Sequence, residues 1–304
     1  MAATAASAVG GGDGRRYALL LALRDSEYAR AAYGGYRNDS FRVVDGEFPA
    51  AEELAGYDGF VVTGSPNDAY GEDPWIRRLC TLIQAVHAMR KRILGVCFGH
   101  QVLCRALGGS VGKACSGWDV GVRKVTFVQD LEGFDFLPDL DELPPSASII
   151  EVHQDEVWEI PAGARVIAYS KKTRVEAFAV GELALGVQGH PEYTTDILLN
   201  LVDRLLREGA IQGHVGDGAR RTAAETGGPD RAFWTALCKG FLRGGGRQGG
   251  CHSRPPPAAP ARETTTASPE VASHVATGGG GGCFAGAGAV LPLACGTART
   301  SVNY

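Results

Sequence analysis

The sequence predicts an α/β fold built on a doubly wound, mostly parallel sheet with helices on both faces. Short, unbroken apolar runs alternate with helical patterns between residues 17 and 107, as in parallel sheets whose faces are both covered. Two of these runs end at Gly64 and Cys97, and such sheets bind ligands beyond the carboxyl ends of their strands. After residue 109, apolar segments separated by turns predict extra antiparallel strands.

Strands and helices alternate in the first half of the chain. Four apolar runs predict strands at residues 17–23, 41–44, 59–63 and 93–96. Helices or helical turns are expected over residues 24–36, 51–54, 73–89 and 101–107. The helix over 73–89 is the most regular, because its apolar residues recur three and four positions apart behind Asp73 and Pro74 as cap and first helical residue.

The second half contains shorter strands and two further helices. Apolar segments predict strands at residues 122–128, 148–152, 165–169, 175–179 and 184–188. Amphipathic periodicity predicts helices over residues 195–206 and 230–242.

One folded domain, residues 15–243, is expected between two ends of low complexity. Residues 1–14 are interpreted as a flexible N-terminus. Residues 244–304 are rich in Gly, Pro, Ala, Ser and Thr and lack apolar periodicity, which predicts a disordered tail. The glycines and scattered charges of residues 209–228 suggest a flexible insertion within the domain.

Composition and charge argue against several classes of partner. The 304 residues carry a net charge of −4 at a pI near 6.0, which gives no electrostatic reason to expect nucleic acid or an anionic membrane. No apolar stretch approaches the roughly 20 residues of a membrane span. The start lacks the pattern of a secretory or mitochondrial signal. We therefore expect a cytosolic protein, with the plastid as the alternative because the start is rich in Ala and Ser.

The eight cysteines show no C-x-x-C pair and no histidine at zinc-finger spacing. Neither a structural metal nor a cofactor is therefore expected. Without a secretory signal, the cysteines are interpreted as reduced thiols, mostly core or surface filler. Cys97 is the exception.

Cys97 lies between a short buried strand and the start of a helix, framed by Gly95 and Gly99. The same frame surrounds the serine of a nucleophile elbow, where the sharply bent backbone needs small neighbours. Free N–H groups and the dipole of the following helix favour the thiolate, which is the nucleophilic form. The alternative is a buried cysteine that acts as a small hydrophobic residue.

His190 and Glu192 follow the last predicted strand. A thiol nucleophile needs a base, and usually a group that orients the base. Residues i and i+2 of an extended chain face the same way, so both side chains can point at the rim that carries Cys97, with Pro191 stiffening the link. The alternative for His190 is a structural histidine whose hydrogen bonds are satisfied.

Two segments resemble the signature of class I glutamine amidotransferases: Gly95-Val96-Cys97-Phe98-Gly99-His100-Gln101 and Gly189-His190-Pro191-Glu192. The resemblance implies a flavodoxin-like sheet and hydrolysis of a γ-glutamyl amide through a thioester by a Cys-His-Glu triad. Residues 63–70, 152–157 and 188–193 further resemble the plant γ-glutamyl peptidases, cytosolic enzymes that remove glutamate from glutathione conjugates. The resemblance covers about residues 17–206, so it makes the domain at 15–243 a glutamine amidotransferase-like catalytic domain.

The resemblance implies a role for each matching residue. The implied triad consists of Cys97 as nucleophile, His190 as general base and acid, and Glu192 as the carboxylate that orients the histidine. The backbone N–H groups of Gly64 and Phe98 are implied as the oxyanion hole, which agrees with the need for donors where charge develops.

Substrate contacts are predicted at two further positions. The resemblance implies that Gln101 helps to hold the γ-glutamyl group; the alternative is a helix residue bonded to its own loop. Asp155 could reach the α-amino group of the substrate, because a carboxylate suits an ammonium; an acidic turn between strands is the alternative. His100, beside the elbow, is open to a role in packing or capping.

Three functional hypotheses follow. The first is a hydrolase of glutathione-type γ-glutamyl conjugates, with a small-molecule γ-glutamyl substrate as its partner and no cofactor. The second is a glutaminase subunit that releases ammonia from glutamine for a separate synthase. The third is a non-catalytic binding protein on the same fold. The sequence leaves open the amine half of the substrate and the oligomeric state.

Overall fold

The computed structural model describes residues 15–23, 40–137 and 143–244. The helix expected over 24–36, the N-terminus at 1–14 and the tail from residue 245 onward lie outside the described residues. Within the described part of the chain, no helix is both long enough and apolar enough to cross a membrane.

Eleven strands are described, and nine of them form one sheet. In chain order they are β1 (Tyr17–Leu20), β2 (Ser40–Phe41), β3 (Gly59–Val62), β4 (Arg92–Val96), β5 (Ser110–Lys113), β6 (Asp119–Phe127), β7 (Ser146–His153), β8 (Asp155–Glu159), β9 (Arg165–Tyr169), β10 (Ala177–Val180) and β11 (Ala184–Val187). Strands β5 and β8 pair only with each other among the described strands.

The order across the large sheet is β2-β1-β3-β4-β11-β10-β9-β6-β7. The strands from β2 to β11 are parallel, and each of the next four runs antiparallel to the strand before it. Strand β7 therefore points the same way as β4 and β11. Val96, Val187 and His153 consequently end their strands at one edge of the sheet, here called the carboxyl rim.

Helices cover both faces of the sheet. They are α1 (Pro74–Ala88), α2 (Phe98–Ala106), α3 (Thr195–Arg207), α4 (Gly213–Glu225) and α5 (Arg231–Arg243). Ile93 of β4 belongs to the core beneath α1 and α2, whereas its neighbour Leu94 belongs to the core beneath α5. Adjacent strand residues face opposite sides, so the predicted doubly wound sheet with added antiparallel strands is confirmed.

The strand expected over residues 41–44 is wrong beyond its first residue. Strand β2 ends at Phe41, and a 3-10 turn over Val43–Asp45 follows. Val43 is buried there, and Gly46 closes the turn at φ 85°, its N–H donating to the carbonyl oxygen of Val43 at 3.0 Å. The apolar residues of this segment therefore serve a turn that packs into the core.

The segment at 209–228 contains helix α4, where its glycines suggest a flexible insertion; that interpretation is wrong for residues 213–225. Gly216, Ala219 and Ala223 are buried along one face of the helix. A Cβ atom at Gly216 would lie 2.9 Å from a methyl carbon of Leu206 on α3. The small residues therefore let two helices approach closely.

Candidate active site

Strand β4 delivers Cys97 to the carboxyl rim, and helix α2 starts at the next residue. The backbone of Cys97 has φ 53° and ψ −108°, a conformation that costs a non-glycine residue on the order of 1–3 kcal/mol. Two hydrogen bonds hold it: the N–H of Cys97 donates to Val187 O at 2.9 Å, and the N–H of Gln101 donates to Cys97 O at 3.1 Å. The turn has the geometry expected of a nucleophile elbow.

Gly95 and Gly99 permit the elbow because backbone segments touch at both positions. A Cβ atom at Gly95 would lie 2.3 Å from the carbonyl oxygen of Gly99, and one at Gly99 would lie 2.1 Å from that of Val62. Both distances are far inside van der Waals contact, and a packed interior cannot absorb the overlap without moving backbone. The elbow therefore packs directly against the end of β3.

His190 reaches the carboxyl rim three residues after β11 ends. Its backbone N–H donates to the carbonyl oxygen of Ile150 at 2.8 Å, which ties it to β7. Its ring stacks on the ring of Tyr193, with the centroids 3.8 Å and the planes 5° apart. The side chain is only 4% exposed, so the imidazole is held in one orientation.

Glu192 binds the ring of His190. Nδ1 of His190 lies 2.8 Å from Oε1 of Glu192, a distance typical of a charge-assisted hydrogen bond. Because a carboxylate accepts, Nδ1 carries the proton and Nε2 is directed to the other side of the ring. Burial by itself lowers the pKa of His190. The charges of Glu192 and Cys97, and the hydrogen bonds to both, raise it by more than burial lowers it, so the pKa of His190 is about 10.

Gly64 follows β3 and completes the rim around Cys97. A Cβ atom at Gly64 would lie 3.6 Å from the Cβ of Cys97 and 3.8 Å from Nε2 of His190. Phe98 is the first residue of α2, and the first N–H groups of a helix have no acceptor within it. The structure thus brings both predicted oxyanion-hole residues beside the thiol, and their role stays a proposal.

Gln101 and Asp155 lie together, although they are far apart in the chain. The side-chain nitrogen of the buried Gln101 donates to the carbonyl oxygen of Asp155 at 2.8 Å and to Oε1 of Gln188 at 3.1 Å. Because this nitrogen is already bound within the protein, only the side-chain amide oxygen of Gln101 remains to contact a substrate. The hydroxyl of Tyr70 donates to the Asp155 carboxylate at 3.4 Å, and burial, followed by the charge of Asp68, raises the Asp155 pKa to about 6.

Asp155 is the first residue of β8, which the sequence did not predict, so the acidic turn considered for this segment is partly a strand. The pairing partner of β8 is β5, which begins 45 residues earlier. Neither strand has the length or the regular alternation that identifies a strand from sequence alone.

His100 packs within the fold. It is fully buried, and its ring centroid lies 5.0 Å from that of Phe178. A Cβ atom at Gly186, inside β11, would lie 2.5 Å from Nδ1 of His100. Burial lowers the pKa of His100 to about 3, so the ring is neutral. These contacts favour the packing role over a part in the chemistry.

A cavity of about 580 Å³ lies at the carboxyl rim, beside the start of β6 and the end of β7. Trp118 and Gln154 line it together with the cationic side chains of Arg123 and Lys172. Arg123 lies 2.6 Å and Lys172 4.0 Å from the same carboxylate oxygen of Asp119. Two cations thus share one buried carboxylate, which leaves positive charge in the cavity wall.

The sequence assigns no role to Tyr193 or Glu151 and leaves Glu176 uncommitted as a residue that could line the pocket. All three are buried: Tyr193 stacks on His190, Glu151 lies against Gly189, and Glu176 lies beside Glu151. The sequence does carry a signal for the two acids, because each is a single carboxylate inside an apolar run. Such a residue is rarely buried without a partner. Nothing comparable marks Tyr193, whose stacking depends on the turn after β11.

The sequence matches the family described as glutamine amidotransferase class-I over residues 26–197, more than half of the chain. Gamma-glutamyl peptidase 5 of Arabidopsis thaliana is 45% identical over 249 residues, which cover 77% of this chain and 98% of that protein. Gamma-glutamyl peptidase 3 of the same plant is 43% identical over 244 residues, which cover 76% and 97%.

Solved structures share the fold. A glutamine amidotransferase from Thermotoga maritima superposes with a TM-score of 0.56 at 24% identity, covering 74% of this chain and 96% of that one. A glutamine amidotransferase from Methylobacillus flagellatus superposes with a TM-score of 0.58 at 18% identity, covering 79% and 99%. Both likenesses support the α/β fold predicted from the sequence.

Proposed function

The chain belongs to the class I glutamine amidotransferase family, and we propose that it is a cysteine hydrolase that removes glutamate from glutathione conjugates. The family match and the similarity to γ-glutamyl peptidases establish an enzyme of the γ-glutamyl hydrolase or amidotransferase type. The substrate and the intermediate are our proposal. The observation that carries it is the line of contacts from Cys97 through His190 to Glu192.

In the first half-reaction, the sulfur of Cys97 attacks the γ-carbonyl carbon of the substrate. The thiol proton resides on Nε2 of His190, which passes it to the nitrogen of the leaving amine as the C–N bond breaks. The amine departs, and glutamate remains bound to Cys97 as a thioester. The high pKa of His190, about 10, supports this order because it keeps the ring protonated and able to donate from Nε2.

In the second half-reaction, water attacks the thioester carbon. His190 is neutral after the amine has left, so Nε2 takes a proton from the water while the C–S bond breaks. Glutamate leaves, and the thiolate and imidazolium are restored. Glu192 keeps the proton on Nδ1 throughout, so that Nε2 is the nitrogen that exchanges protons with substrate.

Both half-reactions pass through a tetrahedral intermediate with a negative oxygen. We assign its stabilisation to the backbone N–H groups of Gly64 and Phe98, because their residues flank Cys97 from the ends of β3 and the start of α2. A single such donor contributes about 3–4 kcal/mol in comparable enzymes. Backbone donors at a rigid rim need little reorganisation as the charge develops.

The glutamyl end of the substrate is assigned to Gln101 and Asp155. Asp155 and Asp68 form a pair of carboxyl groups close enough to raise the Asp155 pKa. An ammonium group relieves such repulsion, which suits the α-amino group of a γ-glutamyl compound. Gln101 would offer its amide oxygen to the same end of the substrate, because its nitrogen is already bound within the protein.

The amine end is assigned to the 580 Å³ cavity at the carboxyl rim. A glutathione conjugate carries a glycine carboxylate and a hydrophobic or polar group on its cysteine sulfur. Arg123 and Lys172 suit the carboxylate, and Trp118 offers an apolar surface to the sulfur substituent. Free glutamine has neither group and would leave the cavity empty.

The second candidate is a glutaminase that supplies ammonia to a separate synthase, favoured by the family match itself. A competition assay separates the two. Glutamine and a glutathione S-conjugate are supplied together, and ammonia and the released cysteinylglycine conjugate are measured in one reaction. Preferential release of the conjugate supports the proposal, whereas preferential release of ammonia supports the glutaminase.

A cytosolic location and a role in glutathione metabolism remain part of this proposal. They rest on the similarity to γ-glutamyl peptidases. Imaging of a C-terminal fluorescent fusion in plant cells separates cytosol from plastid.

A further inference from the structure

Three chemistry-bearing side chains, Glu151, His153 and Glu176, meet in the interior behind Gly189. Glu151 is 0%, Glu176 1% and His153 5% exposed. Their candidate ligand atoms all lie within 4.8 Å of one another. The cluster takes no part in the reaction proposed above.

The polar atoms that face one another in this cluster make no hydrogen bond of normal geometry within the described part of the chain, and their remaining interactions are with one another and with Ser170. Both carboxylate oxygens of Glu151, both of Glu176, and Nε2 of His153 have no hydrogen-bond partner of normal geometry among the described residues. Buried polar atoms are satisfied in the great majority of cases, so five such atoms without a normal hydrogen bond require an explanation. A cation bound between them would supply it.

The hydrogen bond at Nδ1 of His153 also favours a bound cation. Nδ1 lies 3.0 Å from the backbone carbonyl oxygen of Asp155, which can only accept, so Nδ1 carries the proton. Nε2 faces Oε2 of Glu151, 3.4 Å away. Metal-bound histidines typically donate their second ring N–H to a carbonyl in this way, which leaves Nε2 as the ligand atom.

The distance fits a bound metal ion. Zinc bonds to nitrogen and oxygen of roughly 2.0–2.1 Å at tetrahedral angles place two ligand atoms about 3.3–3.4 Å apart. Nε2 of His153 and Oε2 of Glu151 are 3.4 Å apart. An imidazole with two carboxylates is a ligand set of divalent transition metals.

The charges around the two acids have both signs: His190 and Arg123 contribute positive charge at Glu151, and Asp119 opposes them. Asp119 adds negative charge nearby, and its own carboxylate is already paired with Arg123 at 2.6 Å and faces Lys172 at 4.0 Å. Without a cation the two glutamates must share a proton.

We propose that Glu151, His153 and Glu176 bind a divalent transition-metal ion that joins β7 to the segment before β10. The site also supports the turn that carries His190, because a Cβ atom at Gly189 would lie 2.4 Å from Oε1 of Glu151. Binding displaces the proton that the carboxylates otherwise share. The metal is structural in this account, since Cys97 and His190 perform the chemistry.

The test starts with untagged protein, purified without chelators and analysed by inductively coupled plasma mass spectrometry. The expected result is about one transition-metal ion per chain, and loss of that ion with a lower Tm after dialysis against a chelator. Addition of Zn²⁺ alone then restores the Tm. Metal-free protein whose Tm does not respond to Zn²⁺ overturns the proposal.

Two isosteric variants distinguish a metal site from a metal-free pair of carboxyl groups. In a metal site, Glu176→Gln and Glu151→Gln both lose bound metal and lower the Tm. In a metal-free pair that shares a proton, the same changes remove carboxylate repulsion and leave the Tm equal or higher, which contradicts the proposal. Glu159→Gln, an exposed acid on β8, is the matched control and should keep both metal content and Tm.

Discussion

Gly64, at the end of β3, lies directly against the ring of His190: a Cβ atom added to Gly64 would be 3.0 Å from Cε1 of the imidazole. The two residues come from strands on either side of β4, which carries Cys97. The absence of a side chain at Gly64 thus leaves room for the His190 ring beside Cys97.

Gly64→Ala tests this arrangement. The added methyl group displaces the His190 ring by a few tenths of an ångström, and small displacements of a catalytic group are costly in rate. We expect kcat to fall by about 10- to 100-fold, with a Tm close to that of the wild type. Steady-state kinetics and thermal melts measure both, and an unchanged kcat would contradict the close contact.

Glu192→Gln tests the link between the carboxylate and the imidazole. We expect kcat to fall by about 10²- to 10⁴-fold, because an amide neither fixes the Nδ1–H tautomer nor stabilises the imidazolium. The wild-type rate should fall only as pH rises through the His190 pKa of about 10. Since the negative charge of Glu192 raises that pKa, its removal must shift the alkaline limb to lower pH.

The kcat/KM profile between pH 6 and 11 checks the second prediction. An alkaline limb that stays in place in the variant would show that Glu192 does not act on His190. The observed limb is a macroscopic property of the whole site, so it is compared only between the two proteins.

Gly99→Ala tests the packing of the elbow. The new Cβ would lie 2.1 Å from the carbonyl oxygen of Val62, so backbone must move. We expect a loss of about 3 kcal/mol or more, with a Tm lower by roughly 10 °C. Gly213→Ala, the same change at a position with no atom within 4 Å, is the control and should be neutral or slightly stabilising.

Lys172→Met tests the cavity as the site of the amine half. Loss of the cation should raise KM for a glutathione conjugate by about three- to tenfold and leave KM for glutamine unchanged. Lys171→Met removes the neighbouring, exposed lysine and should affect neither substrate. If Lys172→Met changed KM equally for the glutathione conjugate and for glutamine, the amine half of the conjugate would bind outside this cavity.

The elbow could be predicted from sequence because its determinants are local. Gly95, Cys97 and Gly99 are neighbours in the chain, and the strand before them and the helix after them follow from a short apolar run and helical spacing. The parallel strands β1, β3, β4 and β11 were equally visible, since burial on both faces makes them continuous apolar runs, whereas the two-residue strand β2 was not. His190 and Glu192 could be placed near Cys97 only through the assumption that parallel strand ends share a rim.

The remaining features depend on distant pairing. The pairing of β5 with β8 and the meeting of Glu151 with Glu176 depend on sheet register, which no short segment encodes. Glycines at 213–225 could equally mark a loop or a close helix contact, and only the position of Leu206 decides between them. The cationic cavity likewise combines residues from β6, the turn after β9, and α4.

The rate of glutamate release from a glutathione S-conjugate, measured for the wild type and for Cys97→Ala, tests whether the thiol is the nucleophile. We predict that the variant keeps the wild-type Tm and loses activity by about 10³-fold or more, because no nucleophile remains to form the thioester. A folded Cys97→Ala protein that releases glutamate at the wild-type rate would contradict the account.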